Sequence, residues 1–430
     1  MRLLRRAALP LAAQILFTLA QVTITIAGSA TMRPDDWGRF ALLLSVFFIA
    51  MSLVRGFSSA PVLIFLSGDE EQARDAKRAS TIAGVLVALP AMLAVAATGA
   101  AIDAIAAGAL LGVSIVSYAL YDCARAVELA AGRFGRIVAS DGVVLAALAV
   151  GCACSFAPGA MASTTLPAAM MASYALGALA LSFGRRPTSR WTLRMFLTEY
   201  RRDVSFLAID GALLASVLGS FVIVIGVGSS LTQAGAFRTC LALLVGPLQA
   251  AQNSLSPLAI RGLRQAAKEC GETPDDDTRF ATLGQPGLFV AAGLTSGAAY
   301  GIVATLLASL LVSMVDLPIV ETAPPYAFAG SVLISALWSS SIFSSFMRYR
   351  RPNSELTAIR FTTLILSLGA FATLTIALGA ELSTALLVGS IPLVLIPAVH
   401  SVVRWRPVAR SFTAPTIQKD RTSTLRSVLG

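Results

Sequence analysis

Arg55 stands inside a long apolar stretch, Phe40–Leu66, and it is the residue whose type and place most call for chemistry. Carrying an arginine into bilayer hydrocarbon costs on the order of 2.5–3.5 kcal/mol. Its planar guanidinium also offers a fork of donors suited to a pyrophosphate held bidentately. Ser45, Ser52 and Ser59 share its side of a helix. Two readings follow: Arg55 faces a watery cavity and meets an anion there, or it pairs with a buried carboxylate or a helix end. Gln14, Thr18, Gln21 and Thr25 recur at i, i+4, i+7 and i+11, and Gln249, Gln252, Asn253 and Ser256 at i, i+3, i+4 and i+7. Each set is a polar stripe along one helix, with the donors and acceptors that sugar hydroxyls require. The competing use is hydrogen bonding between helices, at about 0.6 kcal/mol apiece. Asp141 and Asp210 lie just inside the ends of apolar runs. Each could hold a proton or a sodium ion, or pair with an arginine such as Arg136 or Arg202. Asp122, Arg125 and Glu128 follow at i, i+3 and i+6, the spacing of an ion-pair ladder along one helix.

The elements that must position these groups are transmembrane helices. Of 430 residues, 56% are apolar and 13% charged, and the mean hydropathy is +0.77; a soluble domain carries roughly 25% charge. Runs long enough to cross hydrocarbon cover Ala8–Ala30, Phe40–Leu66, Thr81–Ala101, Ala104–Asp122, Ile137–Ser155, Leu166–Phe183, Phe206–Gly228, Phe237–Leu258, Pro286–Leu311, Ala327–Ser345, Ile359–Ala377 and Thr384–Val402. None alternates with period two, so a closed barrel is excluded and the fold class is an all-α polytopic membrane protein of about twelve helices. Of 33 lysines and arginines, all but Arg33, Arg39, Arg55 and Arg238 fall in the termini or in every second loop. The positive-inside rule then places both termini in the cytoplasm, and it accounts for the net charge of +10 without a nucleic-acid partner. The opening RLLRR is read as the flank of a retained first helix rather than of a cleaved signal.

The chain divides into a first six-helix bundle over 1–183, a linker over 184–203, a second six-helix bundle over 204–402 and a basic cytoplasmic tail over 403–430. In the linker, Leu193, Phe196, Leu197 and Tyr200 make an apolar stripe opposite Arg190, Arg194 and Arg201, which predicts an amphipathic helix on the inner leaflet. The halves echo each other: Gly38-Arg-Phe40 precedes Pro61 much as Gly235-Ala-Phe237 precedes Pro257. With six helices each, they are parallel repeats, an arrangement that in transporters carries the site at the repeat interface. By that alignment Gln252 lies opposite Arg55.

Three stretches carry a resemblance: MRPDDWGRFALLLSVFFIAMSL, VELAAGRFGRIVASDGVV and AGAFRTCLALLVGPLQAAQNSLSPLA. They resemble the Wzx-type polysaccharide flippases, members of the superfamily that also holds the multidrug-and-toxin extrusion antiporters. The resemblance implies a V-shaped twelve-helix fold in a bacterial inner membrane, flipping undecaprenyl-pyrophosphate-linked oligosaccharide outward by alternating access. In that reading Arg55 neutralises the pyrophosphate, and Gln14, Gln21, Gln249, Gln252 and Asn253 line the cavity. Asp210 and Asp141 are candidates for ion coupling. Its partners are the lipid-linked oligosaccharide, the bilayer, and a polysaccharide polymerase with its chain-length and export proteins. The runner-up is an ion-coupled drug or metabolite antiporter of the same fold, which would favour a buried carboxylate over a central arginine.

No GxxxxGK[ST] loop and no metal-spaced His or Cys cluster is present, so neither a cofactor nor an enzyme activity is expected. The single histidine, His400, ends an apolar run, and five cysteines suggest no disulfide framework.

Overall fold

Each of the twelve apolar runs contains a helix. The structure, a computed structural model, describes residues 2–66, 70–182, 192–244, 295–303, 305–306, 309–310, 326, 328–338 and 354–411. Among these there is no strand. The helices are α1 (Arg2–Thr31), α2 (Pro34–Phe57), α3 (Ser59–Phe65), α4 (Glu70–Ala101), α5 (Ile105–Ala130), α6 (Phe134–Ser155), α7 (Ala162–Ser182) and α8 (Leu193–Gly228). They continue as α9 (231–244), α10 (295–303), α11 (Phe328–Trp338), α12 (Ser354–Ala372) and α13 (Leu382–Ser411). Eight are long and apolar enough to span a membrane. Leu93, Val150 and Leu179 stand exposed on their outer faces, as lipid contact requires.

Helix limits depart from the apolar runs where local chemistry favours helix without hydrophobicity. Pro34 occupies the first turn of α2, with Asp35 and Asp36 beside it. A proline there loses no intrahelical bond, and the acids complement the helix dipole. The helix therefore starts six residues before the run and takes in Trp37. It ends at Phe57, and a break at Ser58 separates it from α3. α4 begins at Glu70 rather than Thr81, because Ala73, Ala76 and Ala79 are buried against neighbours and make the charged segment amphipathic.

The linker also differs from its expected form. Thr192 caps α8, its hydroxyl accepting from the Met195 amide at 3.2 Å. The helix then runs unbroken to Gly228. Its first turns do not lie apart on a leaflet. Phe196 is buried in a cluster with Val62, Leu66, Ala73, Ala76, Val127 and Ala130. The helix that opens the second half is thus anchored on the first, because burying an aromatic ring in protein satisfies the same apolar stripe that would otherwise seek lipid.

Two faces can be named from the loops: an arginine-rich face, with the turns after α5 and before α8, and an arginine-poor face, with the turns after α1, α4, α6 and α8. α2 and α8 lie antiparallel between them. A methyl built on Gly56 would come within 2.2 Å of the Ala208 Cα, and one on Gly226 within 2.8 Å of Leu42, so contact persists along both helices.

Candidate functional site: buried charge within and between the two halves

Among the described residues, two ion pairs between helices have both side chains buried. In the first half, Arg125 of α5 meets Asp141 of α6. Its Nη2 lies 3.1 Å from Oδ2, and its Nε donates to both carboxylate oxygens at 3.2 Å. Tyr121 donates to Asp141 Oδ1. Arg125 Nη2 also donates to Gln14 Oε1 of α1 at 3.4 Å, and the guanidinium lies 5.0 Å from the centre of the Phe17 ring. Both side chains of the pair are at least 96% enclosed. Arginine and tyrosine together satisfy the carboxylate, and amide and ring complete the surroundings of the arginine. Removing either charged partner from such a pair costs about 3–5 kcal/mol, since the other charge is stranded.

The second pair joins α8 to α12. Arg360 Nη1 lies 2.6 Å from Asp210 Oδ1 and 3.0 Å from the Asp210 carbonyl. The two aspartates singled out for ion coupling are therefore both arginine-paired, with Arg125 and Arg360 in place of the expected Arg136 and Arg202. The ladder on α5 does not form. Asp122 accepts from Ser59, and Glu128 takes Arg136 at 2.7 Å and Arg133 at 3.5 Å. Residues three apart on α5 diverge enough to reach different neighbouring helices, and a partner in another helix is reached without bending either side chain.

Of the expected cavity residues, Gln14 is buried and engaged with Arg125 inside the first half. Gln21 is half-buried, and its carbonyl accepts from Thr25. Arg55 lies in the last turn of α2, toward the arginine-rich end rather than at mid-span, beside the close approach of Gly56 to Ala208. Gln249, Gln252 and Asn253 lie outside the described residues, as does Ser256.

At the arginine-poor face the halves are joined by a contact that the apolar pattern did not reveal. Trp37 of α2 is wholly buried, and its Nε1 donates to the Gly235 carbonyl of α9 at 2.9 Å and to Thr239 Oγ1 at 3.2 Å. The ring sits in a slot of glycines: a methyl built on Gly28 would come within 2.4 Å of it, and one on Gly235 within 2.5 Å. Thr232 adds a hydrogen bond to Asp35 at 2.9 Å. The sequence signal was a tryptophan and two acids next to an arginine-poor loop, a group that reads equally well as an interfacial anchor.

Below this latch Arg238 of α9 lies over Phe48 of α2, its guanidinium carbon 4.6 Å from the ring centre. Its Nε is buried without a hydrogen-bond partner, and no carboxylate among the described residues reaches it. The sequence had marked Arg238 only as a basic residue on the wrong side of the charge pattern.

No family model and no curated relative matches the chain. Solved structures do. A eukaryotic MATE transporter, AtDTX14, superposes with a TM-score of 0.66 over 95% of this chain and 97% of that one, at 16% identity. An inward-facing conformation of a multidrug resistance MATE family transporter of the MOP superfamily gives 0.65 over 95% and 100%, at 12% identity. An outward-facing conformation from the same family gives 0.59 over 94% and 96%, at 11% identity. At such identities the likeness concerns architecture, and over nearly its whole length this chain has the fold of the MATE transporters.

Proposed function

We propose that the chain is a flippase that carries an undecaprenyl-pyrophosphate-linked oligosaccharide from the inner to the outer leaflet of a bacterial cytoplasmic membrane by alternating access. The observation that carries this reading is that both candidate coupling acids are arginine-paired while an arginine stands at the boundary between the halves. Asp141 and Asp210, the two acids singled out for ion coupling, are held by Arg125 and Arg360, while Arg238 lies between the halves with no acid beside it among the described residues. A path so furnished favours an anionic cargo over a cationic one. The positive-inside rule makes the arginine-rich face cytoplasmic, with both termini there. The Trp37 latch then closes the outer side.

Arg55, near the cytoplasmic end of α2, stands where a pyrophosphate would enter. Gln21, Gln249, Gln252 and Asn253 are assigned to the sugars. The polyprenyl tail stays in lipid, and polymerase and export proteins use the product outside. The drug or metabolite antiporter fits the same fold, and its support is the multidrug resistance description of both the inward-facing and the outward-facing structures.

The test is a strain lacking the protein, complemented with wild type or Arg55→Ala, with lipid-linked glycan assigned to a leaflet by membrane-impermeant labelling. Glycan confined to the inner leaflet in the deletion, and restored by wild type alone, supports the flippase. Normal outer-leaflet glycan in the deletion, with no second flippase in the strain, discards it for efflux.

A further inference from the structure

Arg238 is a half-buried cation, its Nε enclosed, and among the described residues no counter-charge reaches it. Arg125 and Arg360 each reach a carboxylate, at 3.1 and 2.6 Å. Arg238 rests instead on the Phe48 ring, and no carboxylate among the described residues reaches it. A ring face stabilises a guanidinium through its quadrupole and orients the plane, but it accepts none of the N–H groups at full strength and leaves the fork's edge for another ligand. An arginine in an apolar run without a partner acid is costly to keep, and such residues mark the route of a polar or charged cargo.

Its place supports the same conclusion. Phe48 belongs to the first half and Arg238 to the second, so the pair forms only where the halves meet. The next residue, Thr239, accepts from Trp37 in the latch. Phe237, on the other side, is buried against Tyr326, with ring centres 6.2 Å apart, which fixes the helix turn that aims Arg238.

We propose that Arg238, braced on Phe48 directly beneath the Trp37 latch, is a binding residue for the phosphate oxygens of the transported cargo. The assignment rests on the flippase reading for the identity of that cargo, a prenyl-linked pyrophosphate. It moves the deep phosphate contact from Arg55 to a residue in the other half, and Arg55 becomes the earlier of two contacts along the path.

The test uses the full chain in phosphatidylcholine nanodiscs, with farnesyl pyrophosphate as probe and inorganic pyrophosphate and farnesol as competitors. Wild type is expected to bind the probe saturably. Arg238→Gln should weaken it by about tenfold or more, as loss of a charge-assisted bidentate contact implies. Phe48→Leu, which removes the ring but keeps an apolar side chain, should weaken it by roughly two- to fivefold. Arg33→Gln, at an exposed position on the arginine-poor face, should bind as wild type. Competition by inorganic pyrophosphate at the probe's own concentration would show that the anion suffices. Weak competition would show that the site takes it only when lipid-borne, and both results support an oxyanion site.

Competition by farnesol as strong as the probe's own affinity, or an unchanged affinity in Arg238→Gln, overturns the assignment. If Arg238→Gln is not monodisperse, Arg238→Lys keeps the charge, loses the planar fork and must still weaken binding. Wild type that restores outer-leaflet glycan but binds no probe overturns the Arg238 site and leaves the flippase standing. Binding through Arg238 in a protein whose deletion leaves glycan unaffected does the reverse.

Discussion

Arg125 is buried among helices and Arg238 half-buried between them, and their surroundings are opposite. Arg125 is ringed by an acid, an amide and an aromatic face, all within the first half. Among the described residues Arg238 has the aromatic face alone, and that face comes from the other half of the molecule. Inside a bundle that moves as one body, a charge can be cancelled once and permanently by a neighbour. Between bundles that separate, as the proposed alternating access requires, a fixed counter-charge would have to be torn away in every cycle. The pairing of Arg125 therefore serves stability, and the proposed path accounts for an Arg238 that no acid among the described residues pairs.

The comparison can be broken most forcefully at Arg125. Arg125→Gln should destabilise the protein by about 3–5 kcal/mol by stranding Asp141. The double replacement Arg125→Met with Asp141→Leu should recover most of that in denaturant melts of purified protein. If both single variants melt like wild type, the pair is not structural. Trp37→Ala, which empties a buried aromatic site, should cost about 3–5 kcal/mol of the latched state. It should show as faster labelling of Cys240 by an impermeant maleimide from outside, with Cys240 as the sole cysteine. Cys240 is 3% exposed behind the latch, so unchanged labelling would mean that the seal lies elsewhere.

Gly235→Ala crowds the same ring and should cost about 1–3 kcal/mol by overpacking, with a proportionately smaller rise in labelling. The smallest effect on stability is expected at Arg238. In Arg238→Gln the lost ring contact, about 1 kcal/mol, is set against relief from burying an unpaired charge, so the melting point should scarcely move while flipping fails. A melting loss as large as that of Arg125→Gln would erase the distinction between the two arginines.

Much of the architecture was legible in the chain. The twelve apolar runs all hold helices, because hydrocarbon imposes one requirement on every residue of a span, and composition records it. Asp141 and Asp210 were legible as buried acids for the same reason. Their partners were not. Arg125 lies 16 residues from Asp141 and Arg360 lies 150 from Asp210, and within one sequence the regular spacing of Asp122, Arg125 and Glu128 was the more visible pattern. Arg55 was placed at mid-span because the apolar run continues through Ser58, where the helix breaks. Phe196 was read as a lipid-facing residue because an apolar stripe does not state whether lipid or protein will cover it.

The amino-acid sequence alone determined what the solvent decides: which segments cross the membrane, which loops carry the charge, and that charges inside the spans need an explanation. Tertiary structure alone decided which charges cancel. Ion pairing and aromatic stacking act over a few ångströms between helices that the chain order does not place side by side. Only their packing shows that Asp141 is answered, that Trp37 closes one face, and that Arg238 is left facing the boundary between the halves.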